Sequence, residues 1–64
     1  MDNFELLKRI REQQITQKEL ADKAGLSKSF ISEVVRGRRN PNDEQQKQIA
    51  EALKTSVKSI FSNN

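Results

Sequence analysis

The stretch TQKELADKAGLSKSFISEVVRGRRN, residues 16–40, decides how this chain folds. Thr16 and Glu19 have the spacing of a capping box, in which the threonine hydroxyl binds the amide at Glu19 and the carboxylate reaches back. Gly25 is placed to end this helix in a left-handed conformation. Ser27 then begins another helix as its N-cap. The stretch therefore predicts two short helices joined by a tight turn and followed by a run of arginines.

The rest of the chain also predicts helices, because breakers are rare and no alternating strand pattern is present. The sequence has only one proline and two glycines. We expect a first helix from about Asn3 to Gln13 and a third that ends at Gly37. A fourth begins near Asn42 or Asp43. Ser56 caps a short fifth helix.

Apolar side chains mark the face that each outer helix should bury. In the first helix these residues are Phe4, Leu6, Leu7 and Ile10. In the fourth they are Ile49, Ala50 and Leu53, and in the fifth Val57, Ile60 and Phe61.

Composition narrows the classes of function. The chain has 64 residues, a net charge of +3, and neither histidine nor cysteine. Zinc sites built on those ligands are excluded, and no glycine-rich phosphate loop is present, so we expect no enzyme and no cofactor. No run approaches the roughly 20 apolar residues of a membrane span, and the charged N-terminus does not resemble a signal peptide. We expect a cytoplasmic protein, without a membrane partner, whose basic charge suits a polyanion.

The third helix separates into two faces at about 100° per residue. Apolar residues occupy one side: Phe30, Ile31, Val34 and Val35. Short or charged residues occupy the other: Lys28, Ser29, Ser32, Glu33 and Arg36. A polar face can simply be solvated. Here it follows a capped helix and a glycine turn, which is the helix-turn-helix arrangement whose second helix enters the DNA major groove.

The run from residue 16 to Pro41 resembles the helix-turn-helix of Xre-type regulators, the Cro and phage-repressor family. Four features carry the resemblance: Thr-Gln at 16–17, Leu-Ala at 20–21, Gly25, and Ser-x-x-x-Ile-Ser followed by Arg-Gly-x-x-Asn-Pro. The segment IAEAL at 49–53 is similar to the family's fourth helix. Phage repressors, Cro-like proteins, restriction-modification controllers and antitoxins share this pattern.

The resemblance implies an all-α, five-helix, lambda-repressor-like domain over 1–64, with the helix-turn-helix at about 16–37. It also implies a homodimer that binds double-stranded DNA at a two-fold operator, as a repressor. The expected base-contacting residues are Lys28, Ser29, Ser32 and Glu33. The residues expected to contact or position phosphates are Thr16, Gln17, Ser27, Phe30, Arg36, Arg38, Arg39 and Asn40.

The chemistry of the side chains suits these roles. Lysine can donate to guanine O6 and N7, and a glutamate can accept from the cytosine amino group. Arginines add affinity that is sensitive to salt and blind to sequence. Two residues have alternatives: Glu33 could pair with Arg36 instead of a base, and Phe30 could be buried at the domain edge instead of touching DNA.

Three departures from the family pattern stand out. Ile10 and Val35 occupy positions where many members have a buried Arg–Glu pair, so we expect these two side chains to touch. Lys54 stands where a glycine is common, and the first turns of the fourth helix are unusually polar.

The competing interpretation is a helical module that binds another regulator instead of DNA. Such a module would bind DNA weakly at physiological salt and would be indifferent to Lys28→Ala.

Overall fold

The computed structural model describes residues 3–61, which form five α-helices and no strand. The helices are α1 (Phe4–Glu12), α2 (Gln17–Ala24), α3 (Lys28–Val35), α4 (Asp43–Ala52) and α5 (Val57–Phe61). The all-α, five-helix fold expected from the sequence is confirmed, and the helix ends agree to within one or two residues.

Side-chain caps begin the first four helices, as the sequence signals indicated for α2 and α3. The Thr16 hydroxyl accepts from the Glu19 amide at 3.0 Å, and the Glu19 carboxylate accepts from the Thr16 amide at 2.8 Å. Asn3 caps α1, Ser27 caps α3, and Asn42 forms a second capping box on α4. Each cap satisfies backbone donors that a helix start would otherwise leave without a partner.

One apolar core joins all five helices. Among the described residues, twelve hydrophobic side chains are buried in it: Leu6, Ile10, Leu20, Ala21, Ala24, Ile31, Val34, Val35, Ile49, Ala50, Leu53 and Ile60. Helix α2 packs against α3 and α4, while α1 packs against α3 and α5. Ile10 and Val35 thus lie in the same core, as the apolar replacement of an ion pair requires. Their direct contact stays a prediction.

Two predictions about the ends of the chain need correction. Phe4 was expected on the buried face of α1, yet 71% of its surface is exposed. It is the first residue of α1, and the core begins only at Leu6. Ser56 was expected to cap α5 with its side chain. It does precede α5, but its hydroxyl bonds to the Ser59 hydroxyl at 2.9 Å, and the Ser59 backbone amide donates to the Ser56 carbonyl at 3.1 Å instead. Of the expected α5 residues, Ile60 is buried, whereas Val57 and Phe61 are partly buried against the core.

Candidate nucleic-acid interface

The turn between α2 and α3 sets the position of the whole candidate site. Gly25 has φ +74°, its amide donates to the Asp22 carbonyl at 3.3 Å, and the Leu26 amide donates to the Ala21 carbonyl at 2.9 Å. These two bonds form a Schellman motif, which closes a helix with a left-handed residue. Ser27 then accepts from the Phe30 amide at 3.1 Å. The turn is therefore fixed by backbone bonds on one side and by a cap on the other.

Helix α3 buries one face and leaves the other open. Ile31, Val34 and Val35 are buried, whereas Lys28 and Ser29 are exposed. The open face forms a depression of about 380 Å³, lined by Lys28, Ser29, Ser32, Glu33, Arg36 and Arg38. All four side chains expected to contact bases line it. We call this depression the α3 surface.

Charge on the α3 surface is mainly positive. Lys28, Arg36 and Arg38 are cationic, and Glu33 is its single carboxylate. Long cationic side chains around short serines suit a polyanion that must approach the helix backbone closely.

Glu33 has a partner that sequence spacing did not indicate. The Arg39 Nε and Nη2 atoms each lie 2.7 Å from Glu33 Oε1. The pairing is with Arg39 and not with Arg36, the i, i+3 neighbour that the sequence offered as an alternative partner. Gly37, with φ +75°, turns the chain after α3 and returns residue 39 to the helix. The sequence signal that could have indicated this pair is Gly37, a residue suited to a left-handed turn, two positions before Arg39.

The remaining candidate residues divide between structural bonds and exposed positions. Thr16 and Ser27 use their hydroxyls as helix caps, so their side chains position α2 and α3. Gln17 is the first residue of α2 and is half-buried, and Asn40 is exposed in the loop after α3. Phe30 is partly buried against the core, as the domain-edge alternative expected.

The first turn of α2 adds a further candidate contact. Amides at the start of a helix lack intrahelical partners and favour anions. Gln17 follows the Thr16 cap directly, so an anion there would meet both its side chain and the start of the helix.

No metal or membrane feature accompanies this surface in the part of the chain that the structure describes. Residues 3–61 hold no group of three or more acidic side chains arranged to bind a metal ion. None of their helices is long and apolar enough to cross a membrane.

Similar solved structures come from DNA-binding regulators. The restriction-modification controller protein C.AhdI from Aeromonas hydrophila is 28% identical, with a TM-score of 0.85 over 89% of this chain and 86% of the controller. The P22 c2 repressor bound to a synthetic operator is 25% identical, with a TM-score of 0.84 over 92% of this chain and 89% of the repressor.

A third similar structure contains a protein partner. A chain of the SinR–SinI protein complex is 26% identical, with a TM-score of 0.87 over 98% of this chain and 62% of that one.

A family model establishes the relationship more directly. No curated protein sequence matches the chain. The model described as helix-turn-helix matches residues 7–60, which is most of the sequence. The chain belongs to the Xre-type helix-turn-helix family of DNA-binding proteins, the family that its sequence resembles.

Proposed function

We propose that this protein is a transcriptional repressor that binds a two-fold DNA operator through the α3 surface, as a homodimer in the cytoplasm. The observation that carries the proposal is the gathering of Lys28, Ser29, Ser32 and Glu33 in one open depression on the second helix of a helix-turn-helix. The structural similarity to an operator-bound repressor supports the same ligand.

Five of the six residues that line the α3 surface have a role in this proposal. Lys28 lies at the start of α3, the end that enters the major groove first, and donates to guanine. Ser29 and Ser32 let the helix approach base edges closely. Arg36 and Arg38, at the end of α3 and in the following loop, contact phosphates and set the salt dependence.

A direct test begins with selection of duplexes from a random-sequence library. The best duplex and a scrambled control are then titrated by fluorescence anisotropy at several salt concentrations. We expect the selected duplex to bind about a thousandfold more tightly than the control, as specific regulators do. A dimer should select two inverted half-sites about 10 base pairs apart.

Two matched variants connect the result to the surface. Lys28→Ala should weaken binding to the selected duplex by about 1–3 kcal/mol and binding to the scrambled duplex much less. Lys58→Ala removes the same charge from α5, which packs against α1 and α4. It should bind like the parent. If selection enriches no sequence, or if both variants behave alike, the α3 surface is not the reader of DNA sequence.

A protein partner is the second candidate function, and two observations favour it. Phe4 is exposed, and with Leu7, Lys8, Arg11 and Glu12 it lines a depression of about 300 Å³ on α1. A chain of the SinR–SinI complex is also similar in structure. Absence of binding to any duplex at low salt would favour this function over DNA binding.

A further inference from the structure

Three side chains form a cluster at one edge of the α3 surface. Arg39 Nε donates a hydrogen bond of 2.7 Å to Glu33 Oε1, and Nη2 lies 2.7 Å from the same oxygen in an ion pair. The Arg39 Cζ atom lies 5.4 Å from the centre of the Phe30 ring. This distance is within the range of a cation–π interaction. We call these residues the Glu33–Arg39–Phe30 cluster.

The backbone explains why the cluster forms. Phe30 and Glu33 are three residues apart on α3, so their side chains are neighbours on the helix. Gly37 is left-handed, and the Arg38 amide donates to the Glu33 carbonyl at 2.9 Å. This turn returns the chain to α3 one residue before Arg39. The guanidinium is thereby brought back to Glu33 and Phe30.

Glu33 is shared by the cluster and the α3 surface, whereas Arg39 is not. Arg38 lines the depression together with Glu33, and Arg39 does not line it. Two consecutive arginines therefore have different surroundings. Arg38 borders the space that a base pair would occupy, and Arg39 holds the glutamate at its edge.

The pairing changes what Glu33 can do near DNA. Both contacts from Arg39 reach Oε1, and within residues 3–61 no hydrogen bond reaches Oε2. A bare carboxylate is repelled by phosphates, whereas the Glu33–Arg39 ion pair as a whole carries no net charge. Contacts from two guanidinium nitrogens keep Oε1 turned toward Arg39, so Oε2 is the oxygen left to accept from a base.

A carboxylate oxygen with no proton can only accept a hydrogen bond, which restricts its choice of base. In the major groove, the cytosine amino group offers a donor without an adjacent ring acceptor. The adenine amino group lies beside the N7 acceptor, which repels a carboxylate. An oriented Glu33 therefore favours cytosine.

We propose that Arg39 is a positioning residue for base recognition, which holds Glu33 so that its second oxygen selects a cytosine in the operator. The Phe30 ring stabilises the position of the Arg39 guanidinium through the cation–π contact. This inference rests on the proposed function and assigns Arg39 a role other than the phosphate contact that the family resemblance implies.

The test compares base preference, not affinity alone. Each base pair of the selected duplex is replaced in turn, and binding is measured by anisotropy for the parent, Glu33→Gln, Arg39→Ala, Arg39→Lys and the double variant. The parent should prefer one cytosine by about tenfold to a hundredfold. Glu33→Gln and Arg39→Ala should each reduce that preference to threefold or less, and at that base pair only.

The double variant should lose no more preference than either single variant, because both act through one contact. Arg39→Lys keeps the charge but loses the fork geometry, so the salt slope should persist while the cytosine preference falls. Arg38→Ala is the matched control. It should weaken all duplexes alike, reduce the salt slope by about one phosphate, and keep the cytosine preference.

Three results would overturn the inference. Arg39→Ala could behave like Arg38→Ala, which would make Arg39 an ordinary phosphate contact. The parent could show no cytosine preference that depends on Glu33. If the parent binds no duplex at all, the inference fails together with the proposed function, whereas the first two results leave DNA binding intact.

Discussion

Four residues within 3–61 have positive φ, and they occupy equivalent places. Gln14, Gly25, Gly37 and Lys54 have φ values of +56°, +74°, +75° and +58°. Each follows the last turn of a helix, from α1 to α4. In each case the residue after it donates to a carbonyl five positions back, as the Thr55 amide does to Ala50 at 3.0 Å. The same Schellman motif therefore ends four successive helices, twice without glycine.

The left-handed conformation costs a residue with a Cβ about 1–2 kcal/mol more than it costs glycine. We therefore expect Lys54→Gly to stabilise the domain by about 0.5–1 kcal/mol, after the greater entropy of an unfolded glycine is subtracted. Urea denaturation at constant ionic strength measures this change. Lys54 is exposed, so little packing is lost.

Gly25→Ala provides the opposite test of the same physical effect. A Cβ at Gly25 would meet no atom within 4 Å, so any loss of stability comes from the backbone alone and should be about 1 kcal/mol. If Lys54→Gly destabilises the domain while Gly25→Ala does not, backbone strain is not the controlling term at these turns.

At the scale of the elements, side-chain caps compensate for the shortness of the helices. The longest, α4, has 10 residues, and isolated helices below about 12–15 residues are marginal in water. In its first turn, the Gln45 side-chain oxygen accepts from the Asn42 backbone amide at 2.9 Å. The Asn42 side-chain oxygen accepts from the Gln45 backbone amide at 2.8 Å. The polar first half of α4, which departs from the family pattern, is thus held by its own cap.

Loss of this cap should be measurable in the stability of the whole domain. We expect Asn42→Ala to lower the free energy of unfolding by about 1 kcal/mol. Asn40→Ala is the matched control, because Asn40 is exposed and its side chain makes no hydrogen bond within residues 3–61. The control should change stability by less than about 0.5 kcal/mol. Equal losses in thermal unfolding would mean that the cap of α4 contributes nothing specific.

Sequence rules predicted the features that depend on neighbours along a helix. The Thr16–Glu19 box, the Gly25 stop and the Ser27 cap are set by residues within four positions of one another, and all three are present. The Arg39–Glu33 pair was missed because it spans six residues across a helix end. Its geometry depends on the turn at Gly37, which the helical pairing rules do not describe. The exposure of Phe4 was missed because helical periodicity shows which face of a helix a residue lies on, but not where along the helix the core ends.

At the scale of the whole molecule, hydrogen bonds join the two ends of α1 to the ends of α3 and α4. The Asn3 amide donates to the Val35 carbonyl at 2.8 Å, which joins the start of α1 to the end of α3. The Gln13 side-chain amide donates to the Leu53 carbonyl at 2.6 Å, which joins the end of α1 to the end of α4. Helix α1 therefore packs against the buried face of α3, which is opposite the α3 surface.

Ile10 of α1 and Val35 of α3 are both buried in the core, with 5% and 4% of their surfaces exposed. The family resemblance implies a buried Arg–Glu pair at these positions in many members. Packed apolar groups can replace a buried ion pair without loss of stability, whereas one charge left alone is strongly destabilising. Val35→Glu should therefore cost about 3–5 kcal/mol, a large fraction of the stability of a small domain.

Adding Ile10→Arg to Val35→Glu should recover part of that loss if the two side chains touch. We expect a coupling energy of about 0.5–3 kcal/mol in a double-mutant cycle measured by urea denaturation. Ile10→Arg/Val35→Ala is the control, since it carries the arginine without its carboxylate and should show no recovery. Strict additivity of Ile10→Arg and Val35→Glu would place the two side chains out of contact. The apolar pair would then have replaced the family ion pair without occupying its geometry.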